Sequence, residues 1–272
     1  MLNSTNSNSP TRTRDYLWPQ LRELPYFRAL LRAVEARFYE EIELPRPILD
    51  VGCGDGHFAQ LTFDHRLDVG VDPWGPPIKE AVKRGIYGLT IQGDAAQTPF
   101  PNATFGSAMS NSVLEHIPHV EAVLKETARV LKPGAPFAFC VPNHQFLSTL
   151  SVGRGLDRVK LHPLADAYRS FFNRISRHEH SDPPEVWQRR LEEAGFHLER
   201  WWHYFPPAAL AVLEWGHYFG LPSVVAKKLS GRWIVSPTRW NLYLTERLTR
   251  PHYNADPHSE QGVYTFYVAR RI

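Results

Sequence analysis

The stretch Ile48-Leu49-Asp50-Val51-Gly52-Cys53-Gly54-Asp55-Gly56-His57-Phe58-Ala59 decides the fold, because an apolar strand runs into a glycine turn and reopens as a helix. The missing side chains at Gly52, Gly54 and Gly56 let the backbone turn tightly and come within contact distance of a ligand. The first amides of the following helix are left without intrahelical acceptors. The spacing is G-x-G-x-G, and His57 stands where a dinucleotide fingerprint G-x-G-x-x-G carries its last glycine. That argues against a pyrophosphate at the turn. The carboxylate of Asp50, one residue before Val51 and the turn, favours a cationic amino group instead.

Around this turn, 272 residues with 43% apolar content suffice to bury a full core, and the length fits one large domain with insertions. A net charge of +3 with no long Lys/Arg block gives no reason to expect nucleic acid as a partner. The two cysteines, Cys53 and Cys140, have neither metal spacing nor a disulfide pattern, which points to a reducing cytoplasm. Residues 1–15 are rich in Ser, Asn and Thr and lack an apolar segment, so they are expected to form a disordered tail ahead of a single domain over 16–272.

Outward from the turn the pattern alternates. Phe27, Leu30, Leu31, Val34 and Phe38 follow helical spacing over 25–42. Strands are expected at 67–72, 86–92, 105–110 and 136–141, with helices at 78–84 and 120–131, the latter ended by Lys132-Pro133-Gly134. A helix at 185–195 and strands at 196–204 and 263–269 complete a doubly wound α/β sheet, whose ligands lie outside the carboxyl ends of the strands. Two long segments, 143–183 and 205–261, break the rhythm and are expected to hold helices of their own.

An acidic residue at the end of the second strand, roughly 20 residues past the turn, is where this architecture holds ribose hydroxyls; Asp72, followed by Pro73, is in that place. Asp94, in the loop after the third strand, reaches the next edge of the same crevice. Together with Thr98-Pro99-Phe100-Pro101-Asn102-Ala103-Thr104-Phe105, Ser112-Val113-Leu114-Glu115-His116-Ile117 and Arg129-Val130-Leu131-Lys132-Pro133-Gly134, these residues resemble the class I S-adenosylmethionine-dependent methyltransferases, above all their small-molecule-modifying group. The resemblance covers 47–143 closely and 184–204 loosely. It implies a Rossmann-like seven-stranded sheet whose last strand runs antiparallel between strands five and six. It also implies S-adenosylmethionine as cofactor, with Asp50, Gly52, Cys53, Gly54 and Gly56 at the methionine moiety. Asp72 and Pro73 would then lie at the ribose, Asp94 and Ala95 at the adenine, and Asn111 on the floor near the sulfonium. Gly106 replaces a common aspartate and Ala135 a common glycine. Some quinone-modifying relatives bind a divalent metal through Glu-x-x-Glu-His; Ser112 replaces the first Glu here, so no metal is expected.

Methyl transfer from a sulfonium asks mainly for alignment, and only the acceptor's proton needs a base. Among 13 histidines, His116 after strand four and His144 after strand five lie where an acceptor is expected, with His178 and His180 in the first insertion. The segment 205–261 combines Trp215, Tyr218, Phe219, Trp233, Trp240 and Tyr243 with Lys227, Lys228, Arg232, Arg239, Arg247 and Arg250. It is expected to cap the acceptor end of the crevice and to suit an amphipathic, aromatic or anionic small molecule, or else to touch a lipid surface peripherally. Glu214, His217 and Pro222 rule it out as a membrane span. Small-molecule methylation, on oxygen ahead of carbon or nitrogen, is the favoured reading. Methylation of protein or RNA, non-catalytic cofactor binding and a nicotinamide enzyme are the alternatives.

Overall fold

The computed structural model describes residues 14–272. In chain order the elements are α1 (Leu17–Glu23), α2 (Tyr26–Phe38), β1 (Ile48–Val51), α3 (His57–Thr62), β2 (Leu67–Asp72), α4 (Gly75–Arg84), β3 (Tyr87–Gln92), β4 (Ser107–Asn111), α5 (Val120–Val130) and β5 (Pro136–Pro142). There follow α6 (Phe146–Thr149), α7 (Ser151–Arg158), α8 (His162–Ser176), α9 (Pro184–Ala194), β6 (Phe196–Tyr204), α10 (Pro207–Phe219), α11 (Leu221–Ser230), α12 (Arg239–Asn254) and β7 (Tyr264–Arg271). Most of the tail expected over 1–15 lies outside the described residues. Its last two, Arg14 and Asp15, are ion-paired to Asp64 and Arg250.

The seven strands form one sheet in the order β3-β2-β1-β4-β5-β7-β6. β1 pairs in parallel with β2 (Leu49 opposite Val69) and with β4 (Leu49 opposite Ala108), and β7 runs antiparallel to both β5 and β6. This is the Rossmann-like arrangement with an inserted antiparallel strand. Alternation along the strands splits the core into two layers. Leu49, Val51, Phe137 and Tyr267 pack with Leu124 of α5 and Trp187 of α9; Ile48, Met109, Ala138 and Phe266 pack with Leu30, Val34 and Phe38 of α2. β7 contributes to both layers, and its first six residues are all buried, as a strand covered by helices on both faces requires.

Local differences have physical causes. The helix expected over 25–42 ends at Phe38 and tightens into a 3-10 turn, Tyr39–Glu41. The fourth strand starts at Ser107, after Gly106, where a Cβ would overlap the Arg46 and Pro45 carbonyls. That accounts for glycine in place of the common aspartate. The helix α1 carries only Leu17, Gln20 and Leu21 inward, too little periodicity to be read from sequence.

Both insertions are helical. Glu214 of α10, fully buried, accepts the Ser151 and Val152 amides at the start of α7 (2.6 and 3.1 Å) and the Tyr168 hydroxyl of α8 (2.6 Å), tying one insertion to the other. A carboxylate at the first turn also suits the helix dipole. α12 lays Leu242, Thr249 and Tyr253 inward, and the Tyr253 hydroxyl accepts the Tyr16 amide at 2.8 Å. Among the described residues no helix is long and apolar enough to cross a membrane.

Candidate functional site

Period-two alternation on β1 and β4 aims Asp50 and Asn111 at the α2 face, at the carboxyl end of the sheet. Gly52, Gly54 and Gly56 all take left-handed φ (79°, 55° and 71°). The reasons for glycine differ. A Cβ on Gly52 would overlap Val113, whereas a Cβ on Gly54 meets nothing within 4 Å and points into open space beside the turn. Asp72, buried at the end of β2, accepts the Gly54 amide (3.0 Å) and the Trp74 amide (2.9 Å), and so clamps the turn to the neighbouring strand. Two carboxylate oxygens offer about four acceptor positions, which leaves capacity for hydroxyls. Pro73 is exposed and Trp74 more so, at 69%. Asp94 accepts the Ala96 amide (2.8 Å) and lies 3.6 Å from His119 Nε2, while Ala95 is buried.

Asp50 is buried and accepts the Tyr87 hydroxyl at 2.6 Å. Burial pushes its carboxyl up to about 7 against the pull of that hydrogen bond, with the Asp72 carboxylate adding to the rise. Burial likewise pushes the Cys53 thiol well above its usual range, so Cys53 sits in the turn as a small apolar side chain.

Asn111 does not stand free on the floor of the crevice. Its Nδ2 donates to Glu35 Oε2 at 2.6 Å, and the Glu35 carboxylate also accepts the hydroxyls of Ser112 (2.8 Å) and Tyr204 (3.0 Å) and the Arg32 guanidinium (3.3 Å). Arg32 also donates to the Asn111 carbonyl at 2.9 Å. Glu35 is therefore a fully buried side chain held by four others, and it fixes the ends of β4 and β6 to α2. Ser112 sits at φ 52°, a strained value for a non-glycine residue at the crevice edge. Sequence reasoning missed this group. Its signal was there: Arg28, Arg32 and Glu35 make a charged stripe at helical spacing in a helix whose other residues, Arg37 apart, are apolar or aromatic.

Near the turn lies a cavity of about 1090 Å³, lined by Trp74 and bounded by α2, the α8–α9 connection, α10, α11 and Trp233. Its apolar wall includes Phe27, Phe146, Leu213, Val224 and Tyr264. Its charged wall holds Arg28, Arg32, Arg174 and Arg177 against Glu115 and Glu179. The excess is cationic. Arg28 lies 5.8 Å from the Trp233 ring.

His116 lines this cavity, but His144 does not. His144 is exposed at the start of the loop after β5, 6.3 Å ring to ring from His203, because the chain turns outward where the Asn143 side chain binds Gly262 and Thr265. Of the two histidines expected at the acceptor, the structure therefore places only His116 on the cavity wall. His180 bonds the Ile117 carbonyl (3.0 Å) and lies outside the cavity wall, whereas His178 lines it. Burial pushes Glu115 up to about 8 and His178 down to about 3, the latter helped by His116 nearby, and also lowers His116. His116 Nε2 stands 3.7 Å from Glu115 Oε1.

Residues 49–139 match a family model described as a methyltransferase domain. A probable S-adenosylmethionine-dependent methyltransferase of Mycolicibacterium smegmatis is 29% identical over 173 residues, 63% of this chain and 60% of that protein. Sterol methyltransferase-like 2 of Botryococcus braunii is 38% identical over 101 residues, 34% of this chain and 25% of that protein. The chain thus spans less than two thirds of the length of these relatives. Among solved structures, a SAM-dependent methyltransferase of Thermotoga maritima, described as a possible histamine N-methyltransferase, superposes with a TM-score of 0.51 at 17% identity, covering 94% of this chain and 93% of that one. The order of the seven strands, the glycine turn after β1 and these matches agree: the chain carries a methyltransferase domain with the fold of the class I S-adenosylmethionine-dependent methyltransferases.

Proposed function

We propose that this protein transfers a methyl group from S-adenosylmethionine to an ionised oxygen of a small amphipathic acceptor held in the cavity beside the glycine turn. The observation that carries the reading is proximity: Trp74, two residues past Asp72, and Ser112, next to Asn111, both line the cavity, which sets it beside the crevice. The residues fit the cofactor. Asp50 is a buried carboxylate whose ionisation an ammonium group would restore, Gly54 faces empty space, and Asp72 retains acceptor capacity. In this reading Asp50 and the turn from Gly52 through Cys53 and Gly54 to Gly56 hold the methionine end. Asp72 and Pro73 hold the ribose, with Asp94 and Ala95 at the adenine, and Asn111 shapes the floor through its bond to Glu35.

Bound there, the cofactor would supply an electrophilic methyl on a sulfonium, for transfer to the acceptor oxygen with the S–C electron pair leaving on sulfur. The protein's work is alignment. The four cavity arginines hold an anionic head group, and Phe27, Phe146 and Tyr264 exclude water from its apolar part. An acceptor already ionised has no proton to lose, which agrees with a wall where His116 has its Nδ1 committed to the Arg177 carbonyl at 2.8 Å.

The acceptor reaches the cavity from a lipid surface. α11 buries none of its residues and exposes Leu221, Val225 and Leu229 at i, i+4 and i+8; α12 turns Trp240 (88% exposed), Leu244 and Leu248 away from its buried stripe. Lys227, Lys228, Arg232, Arg239 and Arg247 surround these faces, an apolar and basic combination suited to an anionic bilayer. Val224, flanking the Leu221, Val225 and Leu229 stripe on α11, lines the cavity.

Calorimetric titration of the whole chain with S-adenosylhomocysteine and with NAD tests the cofactor assignment, with only the former expected to bind. Asp72→Ala removes a charge-assisted contact worth roughly 1.5–3 kcal/mol, so affinity should fall about 10- to 100-fold. Undiminished affinity in a folded variant would remove Asp72 from the ribose site.

A further inference from the structure

We propose that Glu115, His116 and His178 form a binding site for one divalent first-row transition-metal ion, of the Zn²⁺ class, in the wall of the acceptor cavity. The inference rests on the acceptor reading above and deepens it. Each of the three residues offers a ligand atom, and the three atoms lie within 4.8 Å of one another. His116 Nε2 and Glu115 Oε1, 3.7 Å apart, are too distant to hydrogen-bond well. They are close to the roughly 3.4 Å that separates ligands around a tetrahedral ion with bonds of about 2.0–2.1 Å.

The surroundings of the group are those of a prepared donor set. His116 Nδ1 contacts the Arg177 carbonyl oxygen at 2.8 Å, so this nitrogen carries the proton and Nε2 keeps its lone pair toward Glu115. Glu115 is 1% exposed, and its Oε2 has no hydrogen-bond partner; His178 Nδ1 is buried and equally unpartnered. Buried polar atoms left unpaired destabilise the fold, and a cation shared between them would remove that cost. The loop that delivers His178 is anchored on the same residue, because the Glu179 and His180 amides donate to the Glu115 carbonyl at 2.8 and 3.2 Å.

Two imidazoles and one carboxylate select a transition ion, whereas Mg²⁺ and Ca²⁺ prefer all-oxygen shells. Three protein ligands leave at least one coordination position facing the cavity. That position suits an acceptor oxygen, and the ion's remaining positive charge adds to that of the cavity arginines. No local motif could have shown the set. Ser112, the residue that breaks the Glu-x-x-Glu-His spacing, has its hydroxyl on Glu35 at 2.8 Å, and the third donor comes from the α8–α9 connection instead.

The test uses the whole chain, stripped with a chelator and titrated with Co²⁺ by visible absorption and with Zn²⁺ by calorimetry. One equivalent of each should bind. Glu115→Gln and His178→Ala should each weaken binding at least 10-fold, with cooperative melting and S-adenosylhomocysteine affinity retained. Glu115→Gln is isosteric and keeps the question answerable if His178→Ala is unstable. The absence of stoichiometric Co²⁺ and Zn²⁺ binding, or wild-type metal affinity in a folded variant, overturns the site. A wild-type protein that binds S-adenosylhomocysteine but neither Co²⁺ nor Zn²⁺ sinks this inference alone, whereas a wild-type protein that binds no S-adenosylhomocysteine sinks the methyl-transfer reading.

Discussion

Asp50→Asn should make the cofactor-free protein more stable at neutral pH and a poorer binder. Within the fold the Asp50 carboxyl keeps its proton until about pH 7, against an ordinary value of 3.8. Between these pH values the unfolded chain binds fewer protons than the folded one. Stability without cofactor therefore falls as pH rises across that window and levels off above it. At about 1.4 kcal/mol per pH unit the full loss is roughly 4 kcal/mol, a large share of the ~5–15 kcal/mol typical of a domain. The amide of an asparagine keeps an oxygen for the Tyr87 hydroxyl, now at 2.6 Å, and carries no charge to bury. Urea denaturation at pH 8 should show the variant ahead of wild type by up to about 4 kcal/mol, the gap shrinking to roughly 1–2 kcal/mol at pH 5. Calorimetry should show S-adenosylhomocysteine binding weakened about 10- to 100-fold, the loss of one charge-assisted contact to its ammonium group. A variant no more stable than wild type at pH 8, or a gap that does not narrow on acidification, would refute the argument.

Glu35→Ala should cost about 3–5 kcal/mol in chemical denaturation, because Arg32, Asn111, Ser112 and Tyr204 lose their shared acceptor and a guanidinium is left unpaired; a loss under about 1 kcal/mol would show that water replaces the carboxylate without penalty. Trp240→Ser with Leu244→Ser should abolish sedimentation with vesicles rich in phosphatidylglycerol while leaving the melting temperature unchanged, since both side chains are exposed. Equal binding of wild type to neutral phosphatidylcholine vesicles would contradict the role given to the surrounding lysines and arginines.

What was legible in the sequence was whatever the chain writes locally. The glycine turn, the alternation of Val263 to Ala269 and the helical stripe ending at Lys132-Pro133-Gly134 are all signals within a dozen residues; they mark the elements, while the place of the last strand in the sheet followed from the family resemblance. Asp72 was found because strand length and turn geometry place the end of β2. The acceptor side was hidden for the opposite reason. Asn111 meets Glu35, and His178 meets Glu115, across long stretches of chain, and spacing within a motif carries no information about such meetings. His144 looked well placed only because its strand was correctly assigned; the direction of the loop beyond was set by Asn143 and its partners. Trp74 and Arg28 gain their meaning from the cavity they share, not from neighbours in sequence.

The position of β7 between β5 and β6 sets a schedule for biosynthesis. β6 touches no other strand of the sheet than β7, and β7 is made only after α10, α11 and α12 have emerged. During synthesis the five parallel strands are able to assemble while β6 waits, its Trp201, Trp202 and Tyr204 without the partners β7 brings and the outer edge of β5 bare. An open strand edge beside waiting aromatic side chains is the kind of surface that pairs with the wrong chain. A stall in translation anywhere within 205–261 would hold the protein in that state, so the helices that later roof the acceptor cavity also determine how long the nascent sheet stays unfinished.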